Sequence, residues 1–192
     1  MGFKSHQILV SGIPVHPRIV KTIARTVSQQ PHILIAGGNL GLIDKHVITQ
    51  LQNSTMRFSL LCGDNKKLYD VITSWHLPNV EPLRYITSRD EMNALYDKVD
   101  ALLSKPGGVT VSEALMKKLP LFSNYALPGQ ERLNLTYLTQ HNLIFEVSGP
   151  NMLQQIQEVL ENSEQMLRFQ QAVQTYYQQL GILNTERQYV AQ

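Results

Sequence analysis

A glycine turn, followed closely by a threonine and a glutamate, is the part of this sequence best suited to binding a ligand. The turn is Lys105–Gly108 (KPGG), and Thr110 and Glu113 follow it. Glycines let a ligand approach the main chain, and the N–H groups of a helix that starts there favour an anion such as a phosphate. Thr110 and Glu113 also have the spacing of a capping box, in which both only close the helix end. If the helix begins at Gly108, however, the Glu113 carboxylate lies one turn in and can accept hydrogen bonds from vicinal hydroxyls, such as those of a ribose.

The elements predicted around this turn alternate between buried strands and helices. A strand at Asp100–Ser104 leads into the turn, and a helix follows at Val109–Lys118. A second strand, Leu121–Ser123, leads through the polar loop Leu127–Glu131 into another helix. Two successive strand-to-helix junctions place both loops at one edge of a parallel sheet, which is the edge where open α/β sheets bind ligands.

Short apolar runs and helical periodicity continue this alternation along the rest of the chain. Further strands are predicted at Gln7–Val10, His32–Ala36, Arg57–Cys62, Val80–Ile86 and Leu143–Val147. Further helices are predicted after the prolines of Ile13–Gln30, from Gly41 to Leu51, and at Lys66–Trp75, Glu91–Lys98, Met152–Asn162 and Glu164–Leu180. The predicted fold class is therefore α/β, a Rossmann-like parallel sheet of about six strands with helices on both faces.

Composition and motif content argue against several other classes of protein. The 192 residues are 43% hydrophobic and 17% charged with a net charge of +2, which indicates one globular domain and no nucleic-acid partner. The single cysteine, Cys62, excludes an internal disulfide, and its strand context predicts a buried inert thiol. The six histidines lack metal-ligand spacing and no D-x-D pair occurs, so we expect no metal and no cofactor. Without a signal peptide or an apolar run of bilayer length, we expect a cytoplasmic protein with at most peripheral membrane contact.

Four motifs together resemble those of a known family. They are SGIPV at Ser11–Val15, AGGNLG at Ala36–Gly41, CGDNKKLY at Cys62–Tyr69, and KPGG-x-T-x-SEAL followed by P-GQE-x-x-N between Lys105 and Asn134. Their order and spacing, over roughly residues 8 to 147, are similar to those in the C-terminal half of a family 28 glycosyltransferase. Within that family, the resemblance is greatest to the branch that makes monogalactosyl- and glucosyl-diacylglycerols.

The resemblance implies one half of a GT-B fold. Residues 1–150 are then a Rossmann-like domain that binds the nucleotide sugar, residues 151–192 are helices packed on it, and the N-terminal acceptor domain is absent. The implied reaction transfers glucose or galactose from UDP-hexose to diacylglycerol at the inner face of the cell membrane, without a metal. The catalytic base and the lipid site are expected in the missing half or in a separate acceptor-domain chain, so we expect the isolated chain to be inactive.

The resemblance also implies roles for individual residues. The glycine turns approach the donor's diphosphate, Tyr85 and Ile86 hold the nucleotide base, and the loop before Asn134 binds sugar hydroxyls. Helix capping is the structural alternative for Glu131 and the favoured interpretation for Asn65. The implied donor-binding residues are Gly38, Asn39, Gly41, Tyr85, Ile86, Gly107, Gly108, Thr110, Glu113, Gln130, Glu131 and Asn134, with His16, Asn65 and Lys105 as secondary candidates.

Two other functions stay open on sequence alone. The N-acetylglucosaminyl transferase of peptidoglycan synthesis has the same fold and similar turns, although the KPGG and CGDNKKLY stretches resemble it less. The other alternative is a non-catalytic donor-binding subunit of a split, two-chain glycosyltransferase, which the length of 192 residues fits.

Overall fold

Six parallel strands form the sheet of this protein. The computed structural model describes residues 12–20, 27–36 and 45–180. The strands are β1 (His32–Ala36), β2 (Arg57–Leu61), β3 (Val80–Leu83), β4 (Ala101–Ser104), β5 (Leu121–Ser123) and β6 (Phe145–Glu146). Their order across the sheet is β3-β2-β1-β4-β5-β6, and each neighbouring pair is parallel. The predicted α/β fold class is confirmed.

Helices connect these strands and follow the last of them. In the described residues they are α1 (Lys45–Gln52), α2 (Lys66–Ser74), α3 (Arg89–Lys98), α4 (Gly108–Met116), α5 (Gln130–Gln140), α6 (Met152–Glu161) and α7 (Ser163–Gln179). Within this part of the chain, no helix is both long enough and apolar enough to cross a bilayer.

The strand order reverses at the centre of the sheet, between β1 and β4. From β1 the chain moves outwards to β2 and β3, and it then returns to lie beside β1 as β4 before continuing to β5 and β6. The connections after β1 and β4 therefore leave the sheet in opposite directions. In open α/β sheets this arrangement opens a crevice at the carboxyl ends of the two central strands, where ligands bind.

Two apolar layers cover the two faces of the sheet, because side chains alternate along each strand. Ile33 and Ile35 of β1 point to the layer formed with α1, α2 and α6. Leu34 points to the layer formed with α3, α4, α5 and α7, where Phe169 and Val173 of α7 are buried. The last two helices, α6 and α7, thus pack on opposite faces of the sheet. The predicted division of the chain into two parts at residue 150 stays a prediction.

The predicted element bounds differ from the structure mainly at strand ends. The strand predicted at Val80–Ile86 ends at Leu83. The Leu83 carbonyl accepts from the Cys62 N–H at 2.8 Å, and the neighbouring chain then turns away from the sheet. The strand predicted at Leu143–Val147 is reduced to β6. The strand predicted at Gln7–Val10 lies outside the described residues, as do residues 21–26 of the helix predicted after the first prolines.

Candidate functional site

A cleft of about 380 Å³ opens at the carboxyl edge of the sheet, beside the point where the strand order reverses. The ends of β1 and β4, the first turn of α4 and one face of α3 form its walls. The residues that line it are Ala36, Leu61, Gly63, Tyr85, Ile86, Arg89, Met92, Tyr96, Ser104, Lys105, Gly107, Val109, Thr110 and Glu113. Six of the predicted site residues therefore meet in one cavity: Tyr85, Ile86, Lys105, Gly107, Thr110 and Glu113.

Helix α4 presents an uncapped amino terminus to this cleft. The helix begins at Gly108, and its N-cap residue, Gly107, has no side chain to accept from the first-turn N–H groups. The capping-box alternative for Thr110 and Glu113 is therefore wrong. The side-chain amide of Asn134 donates to the Pro106 carbonyl at 3.0 Å, which ties the glycine turn to α5. The result is a fixed set of main-chain donors with a partial positive charge.

The side chain of Ile13 lies against Gly108. A Cβ atom at Gly108 would displace the Cδ1 atom of Ile13, which is the far end of a flexible, exposed side chain. The segment of residues 12–20 is fastened nearby, because the Val20 N–H donates to Asn93 Oδ1 at 3.0 Å and Lys117 Nζ donates to the Val20 carbonyl at 2.9 Å. The GIPV motif thus packs directly on the glycine turn.

Glu113 is a buried carboxylate at the wall of the cleft. Its side chain is 7% exposed, and the Tyr96 hydroxyl donates to its Oε2 atom at 2.9 Å. The Arg89 guanidinium lies 3.7 Å from its Oε1 atom and is itself half exposed. Burial first, and then the adjacent carboxylate, raises the pKa of Tyr96. Glu113 therefore keeps one oxygen bound to the protein interior and the other beside a displaceable cation.

The segment after β3 supplies a second wall. Tyr85 is 60% exposed and Ile86 is half-buried, and both line the cleft. The guanidinium of Arg84 lies 4.1 Å from the centre of the Tyr69 ring, so this segment packs against α2. Lys105, on the opposite wall, has its ammonium 5.6 Å from the Tyr125 ring centre.

The loop before α5 contributes no side chain to this cavity. The Glu131 carboxylate accepts from the Leu127 N–H at 2.8 Å, so it bonds within its own loop and stands in the first turn of α5. Gly129 has a φ of 93°, a conformation that favours glycine. Gln130 is exposed beside it. Their assignment to sugar hydroxyls stays a prediction.

The secondary candidates have separate positions. Asn65 caps α2 by accepting from the Leu68 N–H at 3.0 Å, which confirms the favoured interpretation. His16 is exposed. Two residues further along, the Arg18 guanidinium forms an ion pair with the Asp90 carboxylate, with 3.5 Å between Nη1 and Oδ1. The predicted diphosphate residues Gly38, Asn39 and Gly41 lie outside the described residues, immediately after Ala36.

Five residues that line the cleft lie outside the motifs and the predicted site: Leu61 and Ser104 at strand ends, and Arg89, Met92 and Tyr96 on one helix. The last three lie on α3 at positions i, i+3 and i+7, so they share one helix face. That spacing was available in the sequence, but it is also the ordinary signature of a face packed on the core.

The remaining chemistry-bearing groups do not form a second centre in the described residues. No group of three metal-binding side chains is present there. Cys62 is buried, burial raises the pKa of its thiol, and its Sγ atom donates to the Leu60 carbonyl at 3.5 Å, as predicted for an inert thiol. A larger cleft of about 590 Å³ lies between the end of α1 and the start of α6, and none of the predicted site residues lines it.

An open parallel sheet with a glycine-walled cleft at its switch point defines the class: a Rossmann-like α/β domain. No protein-family model matches the chain. It is 37% identical over 183 residues to YkoN, an uncharacterized glycosyltransferase of Bacillus subtilis, covering 91% of this chain and 49% of YkoN. It is 30% identical over 162 residues to the chloroplastic monogalactosyldiacylglycerol synthase 1 of Arabidopsis thaliana, covering 73% and 30% of the two chains. A processive diacylglycerol β-glucosyltransferase of Bacillus cereus is 23% identical over 191 residues, covering 92% and 49%.

Solved structures show the same fold. The glycotransferase of kitacinnamycin matches with a TM-score of 0.63 at 13% identity, over 96% of this chain and 45% of its own. MurG of Acinetobacter baumannii matches with a TM-score of 0.55 at 18% identity, over 81% and 51%. The chain is thus homologous to glycosyltransferases and has the form of a C-terminal half of the GT-B fold, as its motifs predicted. It spans about half the length of YkoN, at 49%.

Proposed function

We propose that this chain is the donor-binding half of a hexosyltransferase that transfers glucose or galactose from UDP-hexose to diacylglycerol. The observation that carries the proposal is the buried carboxylate of Glu113 beside the uncapped amino terminus of α4, in the cleft at the switch point of the sheet. Diacylglycerol glycosyltransferases among the relatives support the acceptor class. The peptidoglycan-type transferase and the split binding subunit have no better support.

The amino terminus of α4 is suited to the diphosphate. Its first-turn N–H groups have no side-chain acceptor, and the helix dipole adds a partial positive charge at the same place. As the glycosidic bond to the donor breaks, negative charge develops on the leaving diphosphate, and fixed main-chain donors stabilise it. This role needs no metal, and we assign Gly107, Gly108 and Thr110 to it, together with Gly38, Asn39 and Gly41.

The two walls of the cleft are suited to the nucleoside. Glu113 accepts from the ribose hydroxyls, and the main chain at Tyr85 and Ile86 holds the base, at the far wall of the same cavity. Gln130, Glu131 and Asn134 are assigned to the hexose. The general base and the lipid site belong to the other half of a family 28 enzyme, acting at the inner face of the membrane, so the isolated chain binds donor without turning it over.

Calorimetric titration of the purified chain tests the proposal. We expect binding of UDP without added metal, followed by a ranking of UDP-glucose, UDP-galactose and UDP-N-acetylglucosamine. Glu113→Gln should weaken UDP binding about tenfold or more, since a bond from ligand to a charged group is worth about 1.5–3 kcal/mol. Glu146→Gln is the matched control, because Glu146 is exposed in β6 and pairs only at the surface with Arg132, at 3.3 Å. Absence of UDP binding at millimolar concentration, or equal loss in both variants, contradicts the proposal.

A further inference from the structure

Tyr96 is a second buried polar group of the cleft, and none of the sequence motifs includes it. Its side chain is 2% exposed and projects from α3 into the same cavity as Glu113. Its hydroxyl donates to Glu113 Oε2 at 2.9 Å. Because burial and the carboxylate raise the pKa of Tyr96, the hydroxyl keeps its proton at neutral pH and remains a donor.

The two oxygens of the Glu113 carboxylate therefore have different environments. Oε2 is bound to a buried hydroxyl, whereas Oε1 lies 3.7 Å from Arg89 Nη1, beyond the length of a direct hydrogen bond. The Arg89 side chain is 52% exposed, so water weakens this ion pair and a ligand can displace it. Oε1 is therefore the oxygen left to accept from a ligand once Arg89 is displaced.

We propose that Tyr96 is the positioning residue that makes this cleft select a ribonucleotide over a 2′-deoxyribonucleotide. The inference rests on the proposed function, which assigns Glu113 to the ribose. By holding Oε2, Tyr96 fixes the plane of the carboxylate, and Oε1 then meets the vicinal hydroxyls in one orientation. A 2′-deoxyribose leaves part of the acceptor capacity of this desolvated carboxylate unmet, and a site built to bind a hydroxyl rejects an analogue that lacks it.

Loss of the tyrosine hydroxyl should remove this selection. In Tyr96→Phe the ring still fills its place in the apolar layer, but the carboxylate is free to rotate about its last torsion. It can then turn both oxygens to Arg89, whose planar fork matches a carboxylate. The ribose no longer meets a fixed acceptor, and the two nucleotides bind alike.

Titration of the full chain with UDP and 2′-deoxy-UDP tests this role in four proteins: wild type, Tyr96→Phe, Glu113→Gln and Tyr177→Phe. Tyr177→Phe is the matched control, because the Tyr177 hydroxyl also donates to α4, to the Ser112 carbonyl at 3.3 Å, but not to Glu113. The wild type should prefer UDP by about tenfold or more. Tyr96→Phe and Glu113→Gln should each reduce this preference to about twofold or less, whereas Tyr177→Phe should keep it.

The ratio of the two affinities separates positioning from general loss of structure, since misfolding lowers both affinities together. A double variant, Tyr96→Phe with Glu113→Gln, should be no less selective than either single variant, because both act through one contact. If Tyr96→Phe keeps the preference for UDP, or if the wild type has none, the role of Tyr96 is overturned while donor binding stands. If the wild type binds neither nucleotide, the proposed function falls and this inference with it.

Discussion

Replacing Lys117 with methionine should lower the free energy of unfolding by about 2 kcal/mol, because the three acceptors around its buried ammonium would lose their donor. The Lys117 side chain is 1% exposed, and Nζ contacts Asp97 Oδ1 at 2.6 Å, the Val20 carbonyl at 2.9 Å and Asn93 Oδ1 at 3.0 Å. Methionine keeps most of the aliphatic volume, so little of the effect comes from a cavity.

The magnitude follows from what each acceptor does after the change. Asn93 Oδ1 still accepts from the Val20 N–H at 3.0 Å, and the Asp97 carboxylate is 43% exposed and can turn to water. A full charged pair in the interior would cost about 3–5 kcal/mol to break, and the exposure of Asp97 reduces this. Methionine also avoids the cost of burying an ammonium. About 2 kcal/mol remains, which is a fall in Tm of about 4–8 °C for a domain of this size.

Urea unfolding and calorimetry of Lys117→Met measure the effect, with Lys98→Met as the control. Lys98 is exposed in the last turn of α3, where its charge contributes a few tenths of a kcal/mol through the helix dipole. The urea midpoint should fall for Lys117→Met at an unchanged m value. Equal midpoints for the two variants would refute the reasoning, since they would show that the ammonium contributes nothing beyond a surface lysine.

Two further predictions concern the glycine turn and the pH dependence of stability. Gly108→Ala should change Tm by no more than about 2 °C, because the Ile13 Cδ1 atom that its Cβ would meet is the far end of a side chain that is 44% exposed and can rotate away. The same change should weaken UDP binding, because it places a methyl group in the turn assigned to the diphosphate. Gly107→Ala, whose Cβ meets open space, is the control, and a Tm several degrees lower for Gly108→Ala than for Gly107→Ala would contradict the account. Burial lowers the pKa of His32 in the folded state, so below about pH 6.5 the unfolded chain binds more protons and the urea midpoint should fall from pH 7.5 to pH 5.5. His32→Gln should reduce this fall in the urea midpoint. If the midpoint of His32→Gln falls as much as that of the wild type, other titrating groups cause the pH dependence.

The strands could be predicted where local signals and pairing agree. β1 and β5 have the bounds expected from their apolar runs, which Pro31 and Pro120 precede. β3 ends before Ile86 because its partner, β2, turns away after Cys62, and an extended run without a partner is not a strand. An apolar run in a sequence predicts an extended backbone, but it does not show how long the neighbouring strand is and therefore where the pairing ends.

The sequence predicted the main-chain turn that forms the cleft, but it did not predict the side-chain contacts within it. The glycine turn and Glu113 were found because turn residues and their spacing are local properties of a sequence. Tyr96 and Arg89 were missed because their relation to Glu113 is a tertiary contact between two helices, and a tyrosine on an apolar helix face is ordinarily part of the core. Only the fold brings the hydroxyl to the carboxylate.

The helices differ in whether a side chain caps their amino terminus, and α6 has no such bond from its N-cap residue, Asn151. Asn65, Ser88 and Asn162 each cap a helix with a side-chain oxygen, so the first-turn N–H groups of α2, α3 and α7 are used within the protein. Helices α4 and α5 begin instead after Gly107 and Gly129, which have no side chain to offer. A serine or asparagine in place of Gly107 would stabilise α4 by roughly a few tenths of a kcal/mol, whereas the φ of 93° at Gly129 would strain either residue there. At the amino terminus of α4, which opens into the cleft, the missing cap is what the proposed diphosphate site requires, since an occupied N–H group cannot bind a diphosphate.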